Sequence, residues 1–298
     1  MTRILFLASL LALAFVPSCA PVPNAPPPPV AVPVVDDYPH LLLGNPSGAT
    51  ADPADRNNFL MKKKYFALSY HSDHGIPNWV SWRVTKDDLG EAPRKQVFDT
   101  DAELPKGFRH IAHKDYTGGG FDRGHMCPHS DRAADTEMSY ATFVMTNVIP
   151  QAPKVNQKTW AALEIYLRGQ VKRGHHVHII AGPAGQGGRG TNGPADAIDG
   201  GKVVVPAQCW KVALILPVGE GDDVSKITAE TRVIAVIMPN DEEKIDLHWA
   251  KYRTSVSEVE KLTGYTFFDR LPTELATALK AEVDKVHIAT SHKTGGDE

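Results

Sequence analysis

The chain has 298 residues, of which 42% are hydrophobic and 22% charged, enough for one large domain or two small ones with a real core. Lys and Arg number 32 against 35 Asp and Glu, a formal net charge of -3. That balance argues against holding nucleic acid by bulk positive charge. It leaves room for a local basic cleft with a metal ion, because site potential and net charge are different quantities.

Residues 1–20 read as a signal peptide. Arg3 gives the positive start, and the apolar run 4–16, broken only by Ser9, is too short for an anchor helix. Two processing readings compete. Ser18-Cys19-Ala20 fits small-x-small cleavage after Ala20, whereas Val16-Pro17-Ser18-Cys19 resembles a bacterial lipobox that would make Cys19 a lipid-bearing N-terminus. The Pro-rich linker 21–36 favours extended polyproline II, a semi-rigid tether that suits membrane attachment through Cys19. Either way the protein is expected to be exported: periplasmic, lipid-anchored at the outer surface, or secreted. A folded domain is expected over 37–286 and a disordered tail over 287–298. Cys127 and Cys209 remain in the mature chain. Pairing between them stays open, because sequence does not set their Cα separation.

Residues 65–70 and 79–84 read as a hairpin, with Val80, Trp82 and Val84 on one face. Lys62, Lys63 and Lys64 before it read as a solvated face. Apolar spacing predicts a helix over 159–172, stopped by Gly174. Segments 176–181, 203–205, 210–216 and 232–238 are strand-like, and 182–201 reads as a Gly-rich surface loop. Ser255 to Glu258 forms a capping-box pattern opening a helix that ends at Gly264, and a last helix is expected over 273–286. Strands and helices intersperse without regular βαβ alternation, which predicts an α+β fold with a mixed antiparallel sheet flanked by helices.

The densest chemistry lies in residues 117–132. Gly118, Gly119 and Gly120 give a flexible approach; Asp122, Arg123, Gly124 and His125 follow in consecutive positions, with Gly124 free to take positive φ. His125 is suited to take a proton near neutral pH, and Arg123 to grip phosphate oxygens. The bland alternative is a polar turn with one exposed His. Downstream, Asn156, Trp160, Glu164 and Arg168 lie four apart, so on a regular helix each sits about 40° from the last. The amide, carboxylate and guanidinium would then line one edge: Asn156 as a neutral oxygen for a hard cation, Arg168 as a phosphate fork. An ordinary Glu-Arg surface pair would look the same.

Asp122-Arg123-Gly124-His125, followed by Asn147 and by Asn156 to Glu164, resembles the DNA/RNA non-specific endonuclease family, which has the ββα-metal (His-Me finger) nuclease fold. His40 to Ser47 and Asn78 to Trp82 resemble the secreted cyanobacterial members, and the similarity runs over about 38–286. Asp131-Arg132 keep that family's pattern, with His129 in its variable part, while Cys127 stands where a small residue is common. The resemblance implies a sugar-non-specific endonuclease that hydrolyses phosphodiester bonds of DNA and RNA to 5′-phosphate products. In it His125 activates the attacking water and Asn156 is the one direct protein ligand of a Mg²⁺ or Mn²⁺ ion. Glu164 orients the waters around that ion, and Arg94 steadies the charged transition state. Arg123 and Arg168 position phosphate, and Asn147 holds the geometry around His125. A protein inhibitor is a further partner it suggests. Two readings compete: a zinc-binding or redox surface protein using His125, Cys127, His129, His175, His176, His178 and Cys209, whose spacings match no common finger, and a nucleic-acid receptor at the envelope without cleavage.

Overall fold

A central ten-residue strand is buried on both faces from Cys209 to Leu216, and its apolar pattern is interrupted only by Lys211. Trp210, Val212, Leu214 and Leu216 are buried toward one face, while Cys209, Ala213 and Ile215 are buried toward the other. A strand buried on both faces belongs in the middle of a sheet covered on both sides. The computed structural model describes residues 38–288. The expected signal peptide, the linker 21–36, Asp37 at the start of the expected domain and residues 289–298 of the expected tail lie outside the described residues.

In chain order the strands and helices are β1 (Phe59–Lys62), β2 (Ala67–His71), β3 (Ile76–Val84), β4 (Asp122–His125), α1 (Thr136–Ala141), β5 (Val148–Gln151), α2 (Ala161–Lys172), β6 (His175–Ala184), β7 (Gly188–Gly190), β8 (Gly193–Ala195), β9 (Ala197–Ile198), β10 (Val203–Val204), β11 (Gln208–Pro217), β12 (Arg232–Pro239), β13 (Arg253–Thr254), α3 (Val256–Thr263) and α4 (Thr273–Ala281). Seven strands form one antiparallel sheet in the order β1-β2-β3-β6-β11-β12-β13. On one face α2 and the β4–β5 ribbon cover a core that includes Val80, Trp82, Val84, Trp160 and Leu167. On the other, α3, α4 and the N-terminal segment cover Trp79, Trp210, Phe267 and Phe268. Among the described residues no helix is long and apolar enough to cross a membrane.

The expected hairpin forms as β2–β3, with Val80, Trp82 and Val84 sharing the α2 face. Ser255 caps α3 by accepting from the Glu258 N–H at 3.3 Å, and Gly264 closes it at φ 73°.

Several expectations are corrected. The last helix ends at Ala281, not at residue 286; His287 and Ile288 of the expected tail are placed, and Ile288 packs against the α2-side core. The Gly-rich stretch is not plain loop but carries β7, β8 and β9. The lysine run is not uniformly solvated: Lys63 is buried, 2.8 Å from Asp101, while Lys64 is exposed and pairs with Glu137. Cys127 and Cys209 are both buried free thiols. Burial pushes the Cys209 thiol up to about 12, so both remain protonated, inert core side chains.

Candidate active site

The Asp-Arg-Gly-His motif is neither a loop nor an exposed turn. It is strand β4, paired antiparallel with β5 so that His125 stands opposite Val148 and Gly124 opposite Ile149. Gly124 does not adopt positive φ. It is glycine for space: a Cβ there would lie 2.1 Å from Oε1 and 2.8 Å from Cβ of the fully buried Gln151. After β5 the chain enters a π-helical turn, Val155–Trp160, that runs straight into α2. The order strand, strand, helix thus brings the motif and the Asn156-to-Arg168 segment together.

The π turn changes the expected helix edge. Its wider winding breaks the regular 40° drift, and π turns concentrate at functional sites. Trp160 is turned into the core at 1% exposure, while Asn156, Glu164 and Arg168 line a cleft. That cleft is also lined by Arg94, Asp122, Arg123, His125 and His129. His125 and Asn156, 31 positions apart in the chain, therefore share one cleft.

His125 is set deep, at 8% exposure, between Phe98 and Phe143, each ring centroid 4.7 Å from its own. Burial, then the charge of Arg94 and the nearby His129, pushes its pKa down to about 3. The imidazole is therefore neutral at neutral pH, with a lone pair free to accept a proton. Its Nε2 is buried with no hydrogen-bond partner. Asn147 is wholly buried behind it. Its Nδ2 donates to the Cys127 carbonyl at 2.8 Å and the Thr142 carbonyl at 2.9 Å, and its Oδ1 accepts from the Cys127 N–H at 3.0 Å. Three hydrogen bonds from one amide fix the chain just past His125. Asn147 does not line the cleft.

Asn156 and Gln157 both donate through their side-chain amides to Asp122 Oδ2, at 2.8 and 2.9 Å. Asp122 thus fixes the Asn156 nitrogen and leaves its carbonyl oxygen for other work. Sequence reasoning assigned no such role to Asp122. Glu164 is nearly buried, and burial raises its pKa against the pull of Lys211, whose Nζ lies 3.4 Å from Oε1. Arg168 pairs with Asp131 at 2.9 Å, and Asp131 in turn accepts from Trp82 Nε1 at 2.9 Å. Arg123 donates to the His113 carbonyl at 3.0 and 2.7 Å, so part of its fork is already committed. Arg94 stands 5.6 Å over the Phe143 ring and makes no ion pair among the described residues. Phe98, His113 and Lys211 complete the surroundings and were not singled out from sequence. Lys211 did carry a signal, a lone charge within an apolar strand.

Among the described residues there is no group of three or more His, Cys, Asp and Glu able to hold a metal ion. The zinc reading needed such a group. The donors that do meet are one anchored amide oxygen and two carboxylates nearby, a hard set that suits a largely hydrated dication.

A sequence model of the DNA/RNA non-specific endonuclease family matches residues 44–274. The chain is 43% identical over 245 residues to a nuclease of Nostoc sp., covering 82% of this chain and 86% of that one. It is 30% identical over 254 residues to nuclease C1 of Cunninghamella echinulata, covering 83% and 95%. In fold it resembles EndoG as seen in a crystal structure of its complex with EndoGI, with a TM-score of 0.59 at 22% identity over 72% of this chain and 88% of that one.

Proposed function

Because this chain belongs to the DNA/RNA non-specific endonuclease family, a family of metal-dependent hydrolases with the ββα-metal fold, we propose that its cleft cuts phosphodiester bonds with His125 as general base. The observation that carries this reading is the meeting of a buried neutral imidazole and an anchored amide oxygen in one basic cleft. His125 takes the proton of the attacking water. An approaching phosphate adds negative charge, which raises the imidazole's affinity for that proton. As charge grows on the non-bridging oxygens, the Arg94 guanidinium stabilises it without having to reorganise. Arg168 and Arg123 offer their uncommitted N–H groups to flanking phosphates. Such contacts carry no base information, which suits cleavage of DNA and RNA alike.

Asn156 fits as the direct ligand of a divalent ion, Mg²⁺ or Mn²⁺, because Asp122 holds its nitrogen and so presents its oxygen. When bound, such an ion supplies charge neutralisation at the scissile phosphate. Glu164 accepts hydrogen bonds from cleft water on that side. Attack on phosphorus leaves a 5′-phosphate and a 3′-hydroxyl. Export, by lipid attachment at Cys19 or by release, is part of the same proposal; it rests on the leader and linker sequences, and mass spectrometry of the mature N-terminus tests it. A proteinaceous inhibitor, as EndoG has in EndoGI, would act by covering this open cleft.

Plasmid DNA and RNA are the substrates for the deciding assay, run with and without EDTA. The wild type should degrade both and lose activity to the chelator. His125→Ala should lose cleavage while keeping its circular dichroism spectrum. Retained cleavage in that variant would remove His125 from the mechanism.

A further inference from the structure

Glu164 has a partner that no part of the active-site motif predicts. Lys211 sits mid-strand on β11, opposite Ala181 of β6 and Val236 of β12, and is 1% exposed. Its strand neighbours on that face are Cys209 and Ala213, both core residues. A lysine there stays charged only if other groups replace its water. Three do. Glu164 Oε1 lies 3.4 Å from Nζ, the Trp160 ring centroid 4.1 Å away and the Trp82 centroid 5.6 Å away. The two indoles offer their faces to the ammonium. They are the same residues that frame the cleft from behind: Trp160 ends the π turn carrying Asn156, and Trp82 holds Asp131, the partner of Arg168.

We propose that Lys211 is a positioning residue for the metal side of the cleft, holding Glu164 by Oε1 from beneath so that its other oxygen is presented, as an anion, to cleft water. The inference rests on the reading of Glu164 given above. The charged groups around Glu164 are Lys211 from β11, Arg168 from its own helix and Asp131 from the segment before α1. Of these Lys211 alone opposes burial from directly below; Arg168 is already paired with Asp131. Without Lys211 the buried carboxyl would take up a proton and turn from acceptor to donor, the wrong partner for water ordered around a cation.

Mn²⁺ binding by calorimetry, in the full mature domain, tests this. Lys211→Met should weaken Mn²⁺ binding roughly 10- to 100-fold at pH 7, the usual cost of losing an outer partner of a metal site. Raising the pH should recover part of the loss, because Glu164 then ionises unaided. In a Glu164→Gln background, Lys211→Met should cost no further affinity, and this comparison remains valid even if the single variant folds poorly. Wild-type Mn²⁺ affinity in Lys211→Met, with only the melting temperature lowered, would make the lysine purely structural and overturn the proposal. So would additive losses in the double variant. Unchanged Mn²⁺ binding in Glu164→Gln alone would instead strike the reading of Glu164 itself.

Discussion

Two buried charge clusters lie on opposite faces of the same sheet, and they treat their carboxylates in opposite ways. On the cleft face, Glu164 meets one lysine, and burial still raises its pKa. On the far face, Asp223 meets His178 at 2.8 Å, His176 at 2.9 Å, Lys226 at 3.4 Å and Arg83 at 3.7 Å. Burial pushes Asp223 up as well, but hydrogen bonds from His178 and His176 outweigh it and hold the acid well below the usual carboxylate range. The number of donors decides the sign. Asp223 is over-provided and clamps the β11–β12 loop to the sheet. Glu164 is under-provided, which leaves an oxygen with unused capacity on the side where chemistry occurs. A structural carboxylate is saturated by its protein; a working one is not.

The sharpest way to break the comparison is to remove one member of the cleft-side pair. In metal-free protein, Lys211→Met or Glu164→Gln alone should lower the unfolding free energy by about 3–5 kcal/mol in urea titrations, because each leaves its partner buried and uncompensated. The double variant should recover much of that loss, since neither buried charge remains: the methionine needs no partner and the glutamine amide, which lines the cleft, can turn to water. A double variant as unstable as the sum of the singles would mean that the two side chains are not coupled.

Asp223→Asn should do less harm, about 1–3 kcal/mol, since an amide can still accept from one imidazole. Its specific nuclease activity per folded molecule should match the wild type, because the cluster faces away from the cleft. A loss of turnover in this variant would show that the sheet transmits strain between its faces.

How far each cluster was legible follows from how it is assembled. The alternation of Trp210, Val212, Leu214 and Leu216 exposes β11 directly, because the period of a strand is written in consecutive residues. The motif from Asp122 to His125 was equally plain as chemistry, yet its backbone was misread. Glycine suggested a turn, whereas Gly124 is required because Gln151 fills the space where a side chain would go. The π turn could not be read from apolar spacing, since its six residues are too few to establish a period. The charge clusters were the least legible. Glu164, Lys211 and Asp131 come from three separated segments, as do Asp223, His178 and Arg83, and only the fold brings them within reach of one another.

The smallest effect lies in pH. His125 and His40 are each pushed down to about 3, chiefly by burial, so their contribution to stability is full above the ordinary value near 6.5 and is lost as pH falls toward 3. Wild-type protein should therefore weaken steadily below about pH 6.5, whichever cluster is intact. Against that common background the two carboxylates diverge. The Asp223 pKa is depressed, so its contribution is present above 3.8 and is lost only on further acidification. Above pH 6.5, where burial keeps the His178 imidazole neutral, the stability gap between wild type and Asp223→Asn should stay flat up to pH 8. The Glu164 pKa is raised, so its contribution is present below 4.5 and is lost as pH rises through the raised value. Glu164→Gln should gain on wild type as the pH rises through that raised value. Urea titrations of both variants at pH 5, 6.5 and 8 read the two slopes directly. Parallel slopes would mean that both carboxylates are equally saturated, and the cleft-side acid would have no spare capacity to offer.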